Sequence, residues 1–157
     1  MTKIHVTTFI AAPVERVFDL SRHVALYKQM FHGNRERITS GAASNLIGKG
    51  ETVSVNATHA GKSRMVMLKI TSFDRPTVFV EEQVKGDLES FRHEHHFKRA
   101  DNGTIVIDIL EFGNPKDIAG RIFGRFYFKK YLEGLLRKRT ELVRSYAESE
   151  KWRAVLT

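Results

Sequence analysis

The spacing of apolar residues changes at Pro115, and this change constrains the fold more than any other feature of the sequence. From residue 35 to 113, apolar and polar residues alternate in short runs separated by turn residues, which is typical of antiparallel strands. Asn102-Gly103, between two such runs, is the strongest hairpin cue. Residues 116–149 instead repeat apolar side chains every three or four positions, which predicts one long helix or a short helix followed by a long one. Such a helix must bury its apolar face, so we expect the sheet to wrap around it.

Before this region the sequence predicts one strand and two short helices. Residues 3–10 alternate as a strand, and Pro13 then begins a helix that continues to residue 20. A second helix is predicted over 22–30, ended by His32-Gly33-Asn34. Six further strands are predicted over 35–40, 51–59, 63–73, 77–84, 89–99 and 104–112.

The terminal helix is expected to bury one face and to carry an aromatic-rich segment near its start. The predicted buried face consists of Ile118, Ile122, Phe126, Leu132, Leu135, Leu136, Leu142, Val143 and Tyr146. The aromatic residues are Phe123, Phe126, Tyr127, Phe128 and Tyr131. These cannot all point inward, so we expect some of them to line a cavity mouth or an intermolecular contact.

Length and composition narrow the classes of protein. A chain of 157 residues is expected to form one domain over 1–157, and 41% hydrophobic residues are enough for a core. The absence of cysteine excludes disulfides, thiolate metal sites and cysteine nucleophiles. The first residues lack the apolar segment of a signal peptide, so we expect a soluble cytoplasmic protein.

The net charge of +8 is concentrated in the terminal segment. Residues 116–151 contain ten basic and five acidic residues and so contribute +5 of the total. A solvated helix face explains this without any function. The alternative is contact with an anionic membrane surface, which suits basic residues beside aromatic ones. Nucleic acid is disfavoured because no helix-turn-helix, RNP signature or zinc finger accompanies the charge.

Several short motifs, in their order along the chain, resemble those of the START/Bet v 1-like (SRPBCC) superfamily, and in particular its polyketide cyclase/dehydrase and lipid transport branch. The motifs are Ile-Ala-Ala-Pro-Val-Glu-Arg-Val-Phe-Asp at 10–19, Phe79-Val80-Glu81-Glu82-Gln83 followed by Gly86, the strand from Phe91 to Phe97, Gly103-Thr104, and Pro115. The resemblance covers nearly the whole chain.

The resemblance implies an α+β helix-grip fold, in which a seven-stranded antiparallel sheet grips the last helix. It also implies a cavity between sheet and helix that takes an apolar or amphipathic small molecule or lipid. It does not imply a reaction, because members of the superfamily include carriers, binding modules and cyclases. No cofactor follows from it, and we expect none. We expect the protein to be a monomer or a homodimer.

Alternation along strand 89–99 predicts a polar cluster inside the cavity. Phe91, His93, His95 and Phe97 share one face, which we expect to be the interior. On strand 77–84 the inner face is ambiguous. If the aromatic-bearing faces match, Glu81 and Gln83 lie beside the histidines. The residues predicted to bind ligand are Phe79, Glu81, Gln83, Phe91, His93, His95, Met65, Met67, Phe126 and Tyr127.

Three interpretations of this cluster remain open. In the first, the cluster is a structural hydrogen-bond network, which buried polar groups require in any fold. In the second, it orients the polar end of a ligand. In the third, His93 and Glu81 transfer protons as a general acid and base in a cyclase, dehydratase or hydrolase reaction. No confident catalytic residue follows, and binding is preferred to catalysis.

A metal site is also considered at His93-x-His95, because two imidazoles share one strand face. Two nitrogens do not make a site, and a catalytic zinc needs three protein ligands. The third would have to be Glu81 or His59. The sequence alone therefore assigns no metal ligand.

Overall fold

Strands dominate the computed structural model of the protein, which describes residues 1–30, 37–59 and 62–157. The strands are β1 (Thr2–Ile10), β2 (Arg37–Ser40), β3 (Thr52–His59), β4 (Lys62–Asp74), β5 (Val78–Gly86), β6 (Phe91–Ala100) and β7 (Gly103–Phe112). The helices are α1 (Val14–Ser21), α2 (Val24–Met30), α3 (Ile118–Ala147) and α4 (Arg153–Leu156), with a 3₁₀ turn at Glu150–Trp152 before α4. The 3₁₀ turn and α4 were not predicted, and the predicted break at His32-Gly33-Asn34 lies outside the described residues.

All strands belong to one antiparallel sheet in the order β1-β7-β6-β5-β4-β3-β2. Consecutive strands from β2 to β7 are neighbours, as in a meander, and β1 closes on β7. The predicted hairpin between β6 and β7 is confirmed: Ala100 pairs with Gly103, and Asn102 adopts a left-handed φ of 66° in the turn. With α3 packed across it, the α+β arrangement is consistent with a helix-grip fold.

Helix α1 begins directly after Pro13, as predicted, and anchors one end of the core. Its Phe18 side chain is fully buried and contacts Phe73, Phe79 and Phe97 edge to face, with ring centroids 5.0 to 5.4 Å apart. Burying one phenylalanine of this kind contributes about 1.5–3 kcal/mol to stability. These ring contacts pack α1 against β4, β5 and β6.

The rear half of α3 confirms the predicted buried face, because Leu132, Leu136 and Val143 are buried. For the front half the prediction was wrong. Ile118, Ile122 and Phe126 are 75%, 71% and 83% exposed.

These residues are exposed because the opposite face of the first turns of α3 packs against the rest of the protein. A Cβ at Gly120 would lie 2.5 Å from the Pro115 Cβ, and one at Gly124 would lie 3.4 Å from the Pro115 Cγ. Phe128, four residues further on, is buried against Phe112 at 5.6 Å between ring centroids. At 100° per residue, the face two positions away is rotated by about 200° and therefore points to solvent.

None of the described helices is both long enough and apolar enough to cross a lipid bilayer.

Candidate functional site

Strand register brings four polar residues together on the face of the sheet that α3 covers. Glu81 on β5 pairs with His93 on β6, and His95 on β6 pairs with Asp108 on β7. Residues at these positions share a face because side chains alternate along a strand. The matching of the two aromatic-bearing faces is therefore confirmed, with Phe79 opposite His95. All four polar residues are at least 96% buried.

Asp108 holds both imidazoles. Its Oδ1 atom accepts hydrogen bonds from His95 Nδ1 at 2.7 Å and from His93 Nε2 at 3.1 Å. The His95 Nε2 atom lies 3.1 Å from Glu81 Oε2. An ionised carboxylate only accepts, so the His95 ring lies between two acceptors, Asp108 on one side and Glu81 on the other.

Arg139 joins the sheet cluster to the helices. Its Nη2 donates to the Ser21 carbonyl oxygen at 2.6 Å and to Tyr27 Oη at 2.7 Å, whereas Nη1 lies 3.3 Å from Glu81 Oε2. The guanidinium carbon is 4.5 Å from the centroid of the Tyr27 ring, a cation–π distance. Tyr27 in turn donates its hydroxyl to Glu81 Oε1. One arginine on α3 therefore links α1, α2 and β5.

The pKa values follow from this arrangement. Burial alone would raise the pKa of Glu81, but the charges of Arg139 and His95 outweigh it and lower the pKa to about 2. Burial would likewise raise the pKa of Asp108, and the hydrogen bonds from both histidines lower it instead. Burial lowers the pKa of His93 to about 4, with a further contribution from His95, so His93 is neutral at pH 7.

Both carboxylates of the cluster have partners. Glu81 contacts the Arg139 guanidinium and His95, and Asp108 contacts both imidazoles, of which His93 is neutral. Buried ions persist only where their charges are compensated and their hydrogen bonds are made. The cluster meets that requirement with residues from β5, β6, β7 and α3, so its stability depends on the whole fold being closed.

A cavity of about 70 Å³ lies between the sheet and α3. Its polar wall is formed by Tyr27, Glu81, His93 and Arg139. The apolar walls come from the end of α2, the sheet and the rear half of α3: Met30, Val55, Leu68, Phe91, Leu110, Leu132, Leu135 and Leu136. A few convergent polar groups in an otherwise apolar cavity are typical of a small-molecule site.

The residues predicted to bind ligand divide into three groups. Glu81, His93 and Phe91 line the cavity. His95 lies behind them in the polar cluster, stacked on the fully buried Phe79 at 4.4 Å between ring centroids.

The other predicted residues lie elsewhere. Gln83 turns away, and its Nε2 donates to the Leu88 carbonyl oxygen at 2.8 Å. Met65 and Met67 alternate with Leu68, which lines the cavity, and are only half-buried on the other side of β4. Phe126 and Tyr127 are 83% and 56% exposed on α3, outside the cavity wall. These five residues are therefore not part of the candidate site.

Three residues of the cluster were missed by the sequence analysis. Asp108 was detectable, since it is the one acidic residue on the inward face of β7, between Val106 and Leu110. Arg139 follows Leu132, Leu135 and Leu136 at helical spacing, so its position on the inner face was also visible. Nothing in the sequence marks Tyr27, because the partners of its hydroxyl are decided by tertiary contacts.

The same cluster contains a geometric candidate for a metal site. One ligand atom each of Glu81, His93 and His95 lies within 4.8 Å of the others. Of the two third ligands that the sequence allowed, Glu81 is the one that the fold brings to the histidines. The side chain of His59 lies outside the part of the chain that the structure describes.

Known structures share this fold. The chain is similar to TTHA0849 from Thermus thermophilus, with a TM-score of 0.72, 19% identity, and coverage of 93% of this chain and 99% of the other. It is also similar to the di-domain ARO/CYC StfQ from the steffimycin biosynthetic pathway, with a TM-score of 0.71, 13% identity, and coverage of 93% and 50%. A START superfamily protein from Mycobacterium smegmatis matches with a TM-score of 0.66, 12% identity, and coverage of 93% and 97%.

The chain has the fold of Bet v 1-like and START superfamily proteins. The resemblance stated from the short motifs is confirmed at the level of the fold. No family model matches the chain, and no curated protein matches it in sequence. At these identities the likeness establishes the fold alone, and function has to be argued from the site.

Proposed function

We propose that this protein binds an amphipathic small molecule, with its polar end against Tyr27, His93 and Arg139 and its apolar body among the leucines of α3. The observation that carries the proposal is the asymmetry of the cavity, in which polar groups occupy one wall and apolar side chains the rest. Bet v 1-like and START relatives support hydrophobic ligand binding in general.

The size of the cavity limits how a ligand is held. About 70 Å³ is well below the roughly 300–1,000 Å³ of pockets for drug-sized ligands. The cavity therefore accepts the polar end or a small ring of a ligand, and a larger apolar body requires Leu132 and Leu135 to move outward. This favours a compact ligand over a long-chain lipid.

Proton transfer is the weaker candidate for the same site. Glu81 has a pKa of about 2 and accepts hydrogen bonds from Tyr27, His95 and Arg139, so it is a poor base at pH 7. His93 is oriented by Asp108 in the manner of a catalytic histidine, but its pKa of about 4 makes it a weak base. The cluster is better suited to orienting a ligand.

Native mass spectrometry of the purified protein, followed by dye displacement with a panel of fatty acids and aromatic polyketides, tests the proposal. Leu135→Trp, which fills the cavity, should weaken binding by about tenfold or more, the equivalent of about 1.4 kcal/mol. Ile122→Trp, on the exposed face of the same helix, serves as the matched control and should bind normally. If neither the native protein nor the Ile122→Trp control binds any of these ligands saturably, the proposal is overturned.

We also propose a second candidate function, contact with an anionic membrane through the front half of α3. Ile118, Ile122 and Phe126 form an exposed apolar stripe four residues apart, and Lys129 and Lys130 continue its face. An anionic bilayer complements both the apolar residues and the charge. A second copy of the chain would bring like charges together, so it complements the stripe less well.

Flotation with phosphatidylcholine vesicles, with and without phosphatidylglycerol, tests the membrane contact. Binding that depends on phosphatidylglycerol and is lost in Phe126→Ser supports it. Equal recovery with both vesicle types, or dimer formation through the stripe in sedimentation, would contradict it.

A further inference from the structure

We propose that Glu81, His93 and His95 form a binding site for a divalent first-row transition metal ion such as Zn²⁺. The set is two imidazoles and one carboxylate on adjacent strands of a rigid sheet. Such a combination is used for Zn²⁺ and, with open positions, for Fe²⁺.

The ligand atoms are already close to the required geometry. His95 Nε2 is 3.1 Å and His93 Nδ1 is 3.9 Å from Glu81 Oε2. With Zn–N and Zn–O distances of about 2.0–2.2 Å, neighbouring ligand atoms around a tetrahedral ion are about 3.3–3.5 Å apart. Small side-chain rotations are enough to place an ion at about bonding distance from all three atoms.

Asp108 provides the outer support that metal-binding histidines usually have. It accepts hydrogen bonds from His93 Nε2 and His95 Nδ1, the ring nitrogens that face away from Glu81. A histidine that ligates a metal typically donates its other N–H to a carboxylate, which fixes both tautomer and ring orientation. One carboxylate therefore directs both remaining nitrogens, His93 Nδ1 and His95 Nε2, toward Glu81.

Arg139 is the cation that the described residues place beside the site, and it does not occupy it. Its contact with Glu81 Oε2, at 3.3 Å, is the longest of its three, and the Ser21 carbonyl and Tyr27 hydroxyl hold it at 2.6 and 2.7 Å. The guanidinium can therefore keep its place when an ion takes over this oxygen.

The incoming ion forms bonds to the lone pairs of His93 Nδ1 and His95 Nε2, and any proton on these nitrogens leaves to solvent. With two carboxylates, Arg139 and a divalent ion, the buried site has a net charge of +1 and favours an anionic fourth ligand. That ligand comes from the cavity that Glu81 and His93 line, so this last step rests on the proposed function.

Calorimetric titration of tag-free, chelator-treated protein with Zn²⁺ alone tests the site. We expect one ion per chain, and tighter binding as pH rises because protons compete for the ligand atoms. Asp108→Asn should weaken binding by about 10- to 100-fold because it removes the support of both histidines.

His96→Asn is the matched control. His96 lies on the opposite face of the same strand, paired with Glu94 at 2.8 Å, and its loss should leave Zn²⁺ affinity unchanged. If Asp108→Asn does not fold, the visible absorption of the Co²⁺-loaded native protein tests the site instead. Co²⁺ held in a tetrahedral site by three protein ligands absorbs strongly in the visible range. Absence of stoichiometric binding, or an equal loss of affinity in His96→Asn, would overturn the proposal. Dye displacement in the presence of chelator tests ligand binding separately, so the two failures are distinguishable.

Discussion

Both halves of α3 carry apolar residues at helical spacing, but the two sets lie in opposite environments. In the rear half, Leu132, Leu136 and Val143 are buried and Arg139 enters the polar cluster. In the front half, Ile118, Ile122 and Phe126 face solvent, while Gly120, Gly124 and Phe128 take the contact with the protein. The comparison shows that apolar spacing identifies a helix but does not decide which of its faces is covered.

The largest expected effect on stability comes from removing the charged contact between Arg139, in the rear half of α3, and Glu81. Arg139→Met leaves the buried Glu81 without its guanidinium partner, which should lower the free energy of unfolding by about 3–5 kcal/mol. Urea denaturation measures this. Arg137→Met, exposed on the same helix, should change it by less than about 0.5 kcal/mol. A loss below about 1 kcal/mol in Arg139→Met would show that the ion pair contributes little.

Shortening one apolar residue in each half sharpens the contrast. Leu136→Ala removes buried methyl groups beside the cavity and should cost about 2–5 kcal/mol. Ile122→Ala removes only exposed surface and should leave stability within about 0.5 kcal/mol of the native protein. Equal losses in thermal unfolding would mean that the front half is covered in solution.

The pH dependence of stability reports on the polar cluster that the rear half closes. The folded protein holds the pKa of His93 at about 4, below its ordinary 6.5, so between these values the unfolded chain binds more protons. The free energy of unfolding should therefore fall as pH drops from 6.5 to 4, at up to about 1.4 kcal/mol per pH unit. Glu81, with its pKa lowered from 4.5 to about 2, adds a loss in the same direction at lower pH.

Denaturation at a series of pH values, with and without His93→Asn, measures this dependence. The variant should reduce the slope between pH 6.5 and 4, where His23, whose pKa burial also lowers, still contributes, and it should keep the slope below pH 4.5. His96→Asn is the control, because its ring is partly exposed on the other face of β6. An unchanged slope in His93→Asn would assign the titration to another group.

The smallest effect on stability belongs to the front half, where function should change instead. Phe126→Ser should alter the free energy of unfolding by less than about 0.5 kcal/mol, since the ring is 83% exposed. Its vesicle binding should nevertheless drop, as proposed for the exposed stripe. A large loss of stability would show that the ring packs against a partner in solution.

Much of the fold could be predicted from the sequence because local rules decide it. Alternation placed β1 and β4–β7 to within about two residues, and Pro13 and Pro115 marked where helices follow. The pairing of Glu81 with His93 followed from matching faces. The site was predicted only in part, since Asp108 and Arg139 were missed and Gln83, Met65, Met67, Phe126 and Tyr127 lie outside it.

The sequence by itself determined the order of the strands and of helices α1 to α3, and the inward placement of His93 and His95, since side-chain periodicity is a local property of the backbone. Only the tertiary structure decided which face of α3 is covered, because the close approach of Pro115 to Gly120 rotates the front stripe outward. It also decided that Arg139 meets Glu81 across 58 residues of sequence. Such contacts depend on how elements pack in three dimensions, which no spacing within one element records.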